Sequence, residues 1–244
     1  MNIAGSIALV TGANRGLGRA LVDVLRGAGC TKIYAASRSI DGMTRNDIIE
    51  PVAIDITDAA QVAAAAARCR DVTILINNAG VAGFAPALGA PSMDTARREM
   101  ETNYFGTLAM CRAFAPVLGA NGGGALVNVL SVVAWFNAPM QGSYCASKAA
   151  AWSLTKAARF ELRAQGTRVI GVYAGYIDTG MTAGLSLPKS SPEAIAARIV
   201  EGIASGTEDI LADDRAKSVH AELLRDSGPF DTNMQRIWDT TARR

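Results

Sequence analysis

Ile7-Ala8-Leu9-Val10-Thr11-Gly12-Ala13-Asn14-Arg15-Gly16-Leu17-Gly18 is the stretch from which the rest of the chain is read. Residues 7–10 are apolar without alternation, which suits a strand buried on both faces. Thr11-Gly12 ends that run. From Leu17 to Ala28 apolar residues recur at helical spacing, and Gly29 stops the pattern. A strand, a glycine-rich turn and a helix in that order form a βα unit. Glycines at 12, 16 and 18 allow a tight turn and let a pyrophosphate come close to the backbone. The helix that follows offers unpaired N–H groups and a positive dipole end. The spacing differs from GxGxxG, and no Gly-Lys pair followed by Ser or Thr is present, which excludes a Walker loop. Gly12, Asn14, Arg15, Gly16, Leu17 and Gly18 are therefore expected to hold a dinucleotide. A tight turn with no ligand is the alternative.

Outward from this unit, strands are expected at 32–36, 52–54, 73–76, 124–130, 168–173 and 209–212. Helices are expected at 58–69, 93–118, 144–164 and 192–204. Apolar strands separated by helices predict an α/β fold: one Rossmann-type, doubly wound parallel sheet of about seven strands, covered on both faces. No repeat, linker or charge block divides the chain, so residues 1–244 are expected to form a single domain. The tail from Ala216 mixes charge with Leu223, Leu224, Phe230, Ile237 and Trp238 and has no assigned place.

Composition narrows the function. The chain has 244 residues, 50% hydrophobic, with a formal charge of +2, which gives no electrostatic case for nucleic acid. Four scattered cysteines and a single histidine argue against a zinc site and for reduced thiols in the cytoplasm. No signal peptide or membrane span is visible in the sequence.

The end of the second strand identifies the nucleotide. NAD-type sites place Asp or Glu there for the ribose hydroxyls, but this chain reads Ala36-Ser37-Arg38-Ser39. Arg38 offers a planar charged fork for a 2′-phosphate, Ser37 a hydroxyl, and Arg15 a second charge. NADP(H) is expected as the preferred cofactor, with NAD(H) possible. Two solvated surface arginines are the plain alternative.

Tyr144-Cys145-Ala146-Ser147-Lys148 supplies the chemistry. Residues four apart share a helix face. A phenol titrates near pH ~10, and an ammonium beside it is expected to lower that value. Tyr144 then exchanges a proton with a carbonyl oxygen, and Ser131, at a strand's C-terminal end, polarises the same oxygen. With Thr11 to Gly18, Asp55, Asn77-Asn78-Ala79-Gly80 and Asn103, all in order, the chain resembles the classical short-chain dehydrogenases/reductases from its start to about Ala212. The resemblance implies that Lys148 also bonds the nicotinamide ribose and that Asn103 holds a water in a proton relay. It implies further that Asp55 and Ile56, then Asn78, Ala79 and Gly80, border the adenosine side. Asp55 as a helix cap remains open. Ile177 and Thr179 are carried over as nicotinamide contacts. Ala174-Gly175 stands where the family has Pro-Gly, which leaves that loop's stiffness open. The resemblance also implies a homotetramer or homodimer built on long helices.

Substrate-side elements are expected at about 131–143 and 174–192. Phe84, Val132, Val133, Ala134, Trp135, Phe136, Met140, Tyr176 and Met181 are candidates for an apolar wall, and no arginine cluster marks an anionic substrate. The expected activity is carbonyl reduction of a neutral ketone or aldehyde, or the reverse on a secondary alcohol. The stretch 179–192 is short for a lid and predicts an open pocket. Rival readings are an NAD-dependent alcohol dehydrogenase working oxidatively and a nucleotide-sensing regulator without turnover.

Overall fold

The computed structural model describes residues 1–241. Its strands are β1 (Ile7–Thr11), β2 (Lys32–Ser37), β3 (Ile49–Ala53), β4 (Ile74–Asn77), β5 (Gly124–Val129), β6 (Thr167–Tyr173) and β7 (Asp209–Leu211). All pair in parallel, in the order β3-β2-β1-β4-β5-β6-β7. The helices are α1 (Gly16–Gly27), α2 (Ala59–Arg68), α3 (Asp94–Met100), α4 (Thr107–Ala120), α5 (Gly142–Leu162), α6 (Pro192–Ser205), α7 (Asp214–Arg225) and α8 (Gly228–Thr241). This is the expected doubly wound Rossmann-type sheet.

Side-chain alternation divides each buried strand between two layers. Ala8, Val10, Ile74, Ile76, Val127, Ile170 and Val172 face α1 and α6, where Leu21, Leu25, Ile199 and Ile203 meet them. Leu9, Leu75, Leu126 and Val169 point the other way, onto Val62 of α2, Met110, Phe114 and Leu118 of α4, and Ala158 of α5. Strands packed on both faces have no polar alternation, which is why they read as continuous apolar runs.

Two boundaries differ from the sequence expectation. The third strand starts at Ile49 and runs through Pro51. It lies at the sheet edge, where a missing N–H costs no ladder bond. The helix expected over 93–118 is broken by a π turn at Glu101–Gly106. There Gly106 packs so closely on Ile56 that a Cβ would approach Ile56 Cδ1 to 2.8 Å. The unassigned tail forms α7 and α8. Phe230 of α8 is buried and meets Phe136 edge-on, with centroids 4.5 Å apart.

The winding reverses between β1, whose neighbours are β2 and β4, and the strands that follow on the far side. Loops leaving β1 and β4 diverge there and open a crevice at the strands' C-terminal ends, where open α/β sheets bind ligands.

Candidate active site

A continuous cavity of ≈ 1710 Å³ fills that crevice. One end is the glycine loop. Arg15, the residue before α1, is extended (φ −160°, ψ 171°) and gives no side-chain cap, and no acid stands in the first turn. The helix thus turns uncapped amides and its positive end towards the cavity. Gly12 sits at φ +66°, and a Cβ on Gly18 would collide with the Gly12 carbonyl oxygen. The loop is also tied to β4. Thr11 Oγ1 accepts the N–H groups of Asn78 and Ala79, both at 3.0 Å, while Asn78 Nδ2 donates to Thr11 O at 2.8 Å. Asn78, expected as a cofactor contact, spends its amide on holding this loop. Reading the sequence alone misses Thr11, because strand and turn overlap there.

Asn14, Arg15, Ser37, Arg38, Asp55 and Ile56 line the same end of the cavity. Arg15 and Arg38 are exposed and enter no salt bridge among the described residues. Asp55 Oδ1 accepts from Thr57 N–H and Oγ1. The cap of α2 is Asp58, which accepts from Ala60 and Gln61, so the helix-cap alternative for Asp55 does not hold. A cradle of uncapped amides with unpaired cations at its rim fits a dinucleotide carrying an extra phosphate.

Ser131, Tyr144 and Lys148 line the other end. Ser131 follows β5, and its hydroxyl reaches Ala174 O at 3.5 Å. Tyr144 and Lys148 lie on one face of α5, with the ammonium 5.8 Å from the phenol ring centroid. Lys148 is only 6% exposed and donates to Val129 O at 2.9 Å. Burial brings its pKa down from 10.5 to about 8. The expectation of a depressed Tyr144 is overturned. Burial pushes this phenol well above its ordinary value; the charge of Cys145 and then that of Glu99 add to the rise, and the bond with Ser131 works against it. Asn103 lies behind the cavity wall. Its Oδ1 accepts Val81 N–H, and its Nδ2 donates to Val81 O and Ser147 Oγ, all at 2.9 Å. Its carbonyl accepts Thr107 Oγ1.

Residues 6–189 match the family model for short chain dehydrogenases. The chain belongs to the short-chain dehydrogenase/reductase family. A solved short chain dehydrogenase from Burkholderia cenocepacia J2315, in complex with NADP, superposes with a TM-score of 0.93. It is 41% identical, over 96% of this chain and 99% of its own. The 3-oxoacyl-acyl-carrier-protein reductase FabG of Escherichia coli is 29% identical, over 93% of this chain and 98% of that protein. The Mus musculus dehydrogenase/reductase SDR family member 7B is 29% identical over 74% of this chain but only 60% of its own length. This chain therefore spans less than two thirds of that relative.

The rest of the cavity is the candidate substrate space. Phe84, Val132, Val133, Phe136, Tyr176 and Met181 line it. Ala134, Trp135 and Met140 are absent from the lining. Trp135 instead stacks on Tyr173 at 4.2 Å, and its ring centroid lies 5.2 Å from that of His220. The loop after β6 folds back on itself: Ile177 bridges Ser190, and Thr179 caps the short turn Gly180–Thr182. Thr179 also lies against Gly16, where a Cβ would approach Thr179 Cγ2 to 3.0 Å. Asp213 supplies stiffness where Ala174 replaces the family's proline. Its Oδ2 accepts Gly175 N–H at 2.9 Å and Ser190 Oγ at 3.3 Å, while Oδ1 caps α7.

Besides the short loop, α8 brings Met234 and Ile237 to the cavity. Their spacing of three in the tail is the signal the sequence offers for this. Arginines reach the lining too. Arg198 and the nearby Lys189 and Lys217 are paired with Glu201, Asp178 and Asp214, while Arg215 stands next to Asp213 and Asp214. Among the described residues, no helix is long and apolar enough to cross a membrane.

Proposed function

We propose that this dehydrogenase is an NADP(H)-dependent carbonyl reductase acting on neutral, apolar ketones and aldehydes, or on the corresponding secondary alcohols in reverse. One observation carries the reading: Ser131, Tyr144 and Lys148 meet at one end of a cavity whose other end holds an uncapped helix N-terminus and two unpaired arginines. The NADP bound to the Burkholderia relative supports the cofactor. The whole chain, 1–244, acts as one dinucleotide-binding domain, with substrate-side elements at 131–143 and 174–192.

When bound, the nicotinamide supplies or accepts the hydride. Tyr144 gives its proton to the carbonyl oxygen as the carbon is reduced. Ser131 Oγ–H bonds the same oxygen and stabilises the charge developing there. Lys148 supplies positive charge beside Tyr144 once the proton has left and stabilises the phenolate. Tyr144 keeps its proton at neutral pH and so stands ready to donate it in the reductive direction. Arg15 and Arg38, with Ser37, hold the 2′-phosphate; Asp55, Ile56, Ala79 and Gly80 border the adenosine, and Ile177 and Thr179 the nicotinamide. Asn103, its side chain fixed by Val81 and Ser147, holds the water of the proton relay.

The test is oxidation of NADPH, and separately of NADH, by a panel of apolar ketones and aldehydes, followed by reduced-nicotinamide absorbance. Faster turnover with NADPH supports the reading. Equal or better use of NADH would overturn the assignment of Arg15 and Arg38, and rates that climb with negative charge on the substrate would overturn the neutral substrate class. Four buried free thiols support a reducing, cytoplasmic setting. Phe160 of α5 and Phe105, exposed at 79% and 49%, support self-association through the long helices. Light scattering that gives a monomer mass would contradict that association.

A further inference from the structure

One carboxyl group lies wholly inside the molecule and touches none of the reacting groups. Glu99, in the last turn of α3, is 1% exposed. Its Oε1 accepts the Gly83 N–H at 2.7 Å, and its Oε2 accepts the Ser143 hydroxyl at 2.5 Å. It enters no salt bridge among the described residues. A buried carboxylate without a cation is a costly way to gain stability alone.

Its two donors sit on segments distant in sequence, and both segments border the candidate substrate space. Gly83 precedes Phe84, whose side chain lines the cavity and whose backbone is held at φ +49°, a region non-glycine residues avoid. Ser143 precedes Tyr144 on the first turn of α5. The Phe84 segment is fixed at neighbouring points as well. Asn103 holds Val81, and Gly142 N–H donates to Ala85 O at 3.3 Å. Packing there is tight: a Cβ on Gly83 would collide with Thr95, and one on Gly142 would lie 2.9 Å from Ala87 N.

We propose that Glu99 is a positioning residue for the reduction: by accepting from Gly83 and Ser143 together, it clamps the Phe84 segment onto the first turn of α5. The clamp sets the gap between the Phe84 wall and the Tyr144 hydroxyl. The inference rests on the reading of Tyr144 as proton donor beside the substrate. A carboxylate suits the task because it offers two acceptors on one rigid plane and makes strong, charge-assisted bonds. A glutamine keeps the acceptor for Gly83 and can donate to Ser143 Oγ, so Glu99→Gln retains the clamp without the charge.

The experiment compares Glu99→Ala, Glu99→Gln and Ser143→Ala in the full chain. It measures kcat and KM for an apolar ketone, the NADPH dissociation constant, and amide hydrogen exchange across residues 81–87 and the start of α5. Glu99→Ala is expected to lower kcat/KM for the ketone roughly 10- to 100-fold, the size that follows loss of charge-assisted bonds that place a reacting group. NADPH affinity should stay within about twofold, since that site lies along the glycine loop and not at the clamp. Exchange should quicken in 81–87 and the start of α5 alone. Glu99→Gln should recover most of the loss, and Ser143→Ala should fall between the two. Unchanged turnover and exchange in Glu99→Ala overturn the proposal, as does a Glu99→Gln variant as impaired as the alanine one. Should Glu99→Ala fail to fold, Ser143→Ala decides by the same measures. If the wild type turns over no carbonyl, the proton-donor reading fails first; the exchange data still decide whether Glu99 clamps the two segments.

Discussion

At the glycine-loop end of the cavity, Arg15 and Arg38 stand in solvent with no carboxylate partner among the described residues; at the other end, Lys148 is enclosed and Tyr144 is pushed up by burial. The same kind of charge does different work in the two places. In water a guanidinium keeps its charge at little cost and attracts an anion weakly, subject to salt. Inside, an ammonium is hard to maintain, and burial, not the neighbouring Lys148, sets the direction in which the Tyr144 phenol moves. On the proposed reading, binding specificity is placed where charge is easily held, and proton chemistry where it is not.

The sharpest break of that contrast is Tyr144→Phe. It removes the proposed proton donor and leaves the glycine loop untouched. The kcat for ketone reduction should fall about 10²- to 10⁴-fold, the usual range for a positioned general acid. NADPH affinity, read by titration, should stay near the wild-type value. Retained turnover would move the proton chemistry to another group.

Lys148→Met tests the cost of the buried charge. The drop of the Lys148 pKa from 10.5 to about 8 corresponds to roughly 3 kcal/mol against folding. Below about pH 8 the folded and unfolded chains both carry the proton, and the full penalty applies. Between pH 8 and 10.5 only the unfolded chain keeps it, so the Lys148 contribution to stability should rise with pH across that window. The four buried thiols, raised from 9.0, oppose this rise as pH nears 9, and Tyr144 does so above the ordinary phenol value, so the Lys148 slope is read as the difference in melting between wild type and variant at about pH 7 to 8. The methionine variant should be nearly inactive yet melt at a higher temperature near neutral pH, with the upward slope removed. A variant that melts lower and keeps the slope would show that Lys148 is not held against a desolvation cost.

At the exposed end, Arg38→Ala should narrow the preference for NADPH over NADH about 10-fold, the scale of one charge-assisted bond to phosphate. The wild-type preference should also shrink as salt rises, while kcat at saturating NADPH holds steady. A preference unmoved by both the substitution and the salt would remove Arg38 from the site.

Much of this architecture is legible in the sequence, for identifiable reasons. A strand buried on both faces announces itself as an unbroken apolar run, as Ile7–Val10 and Ala125–Val127 do. Tyr144 and Lys148 are legible because helical spacing is rigid. What escapes depends on long-range packing. The π turn at Glu101–Gly106 arises from the approach of Gly106 to Ile56, which local propensity does not register. The raised Tyr144 depends on what surrounds the hydroxyl, whereas the sequence shows only its neighbour four residues on. Glu99 reads as one more acid on a polar helix; its burial follows from Gly83 and Ser143 converging on it. The tail's apolar residues can be named but not placed, since nothing in α8 specifies that Phe230 meets Phe136.

That last contact leads to the smallest expected effect. Met234 borders the cavity and packs with the cluster that holds Phe136, Phe230 and Leu130. It therefore belongs to the buried, catalytic end, but as wall, not charge. A flexible thioether adapts to a range of apolar shapes. Cutting it to alanine in Met234→Ala removes several contact atoms from one side of the substrate space and none from the proton donor. The KM for small ketones should rise about 5-fold, within the range for loss of a few apolar contacts in a pocket. Bulkier ketones should lose less or gain, because the missing side chain leaves room. NADPH affinity and the pH dependence of melting should both match the wild type, because Met234 touches neither the glycine loop nor Lys148. If every ketone lost equally whatever its size, α8 would be supporting the fold from behind instead of shaping the pocket. A size-dependent split would make the C-terminal helix the element that decides which carbonyl reaches Tyr144.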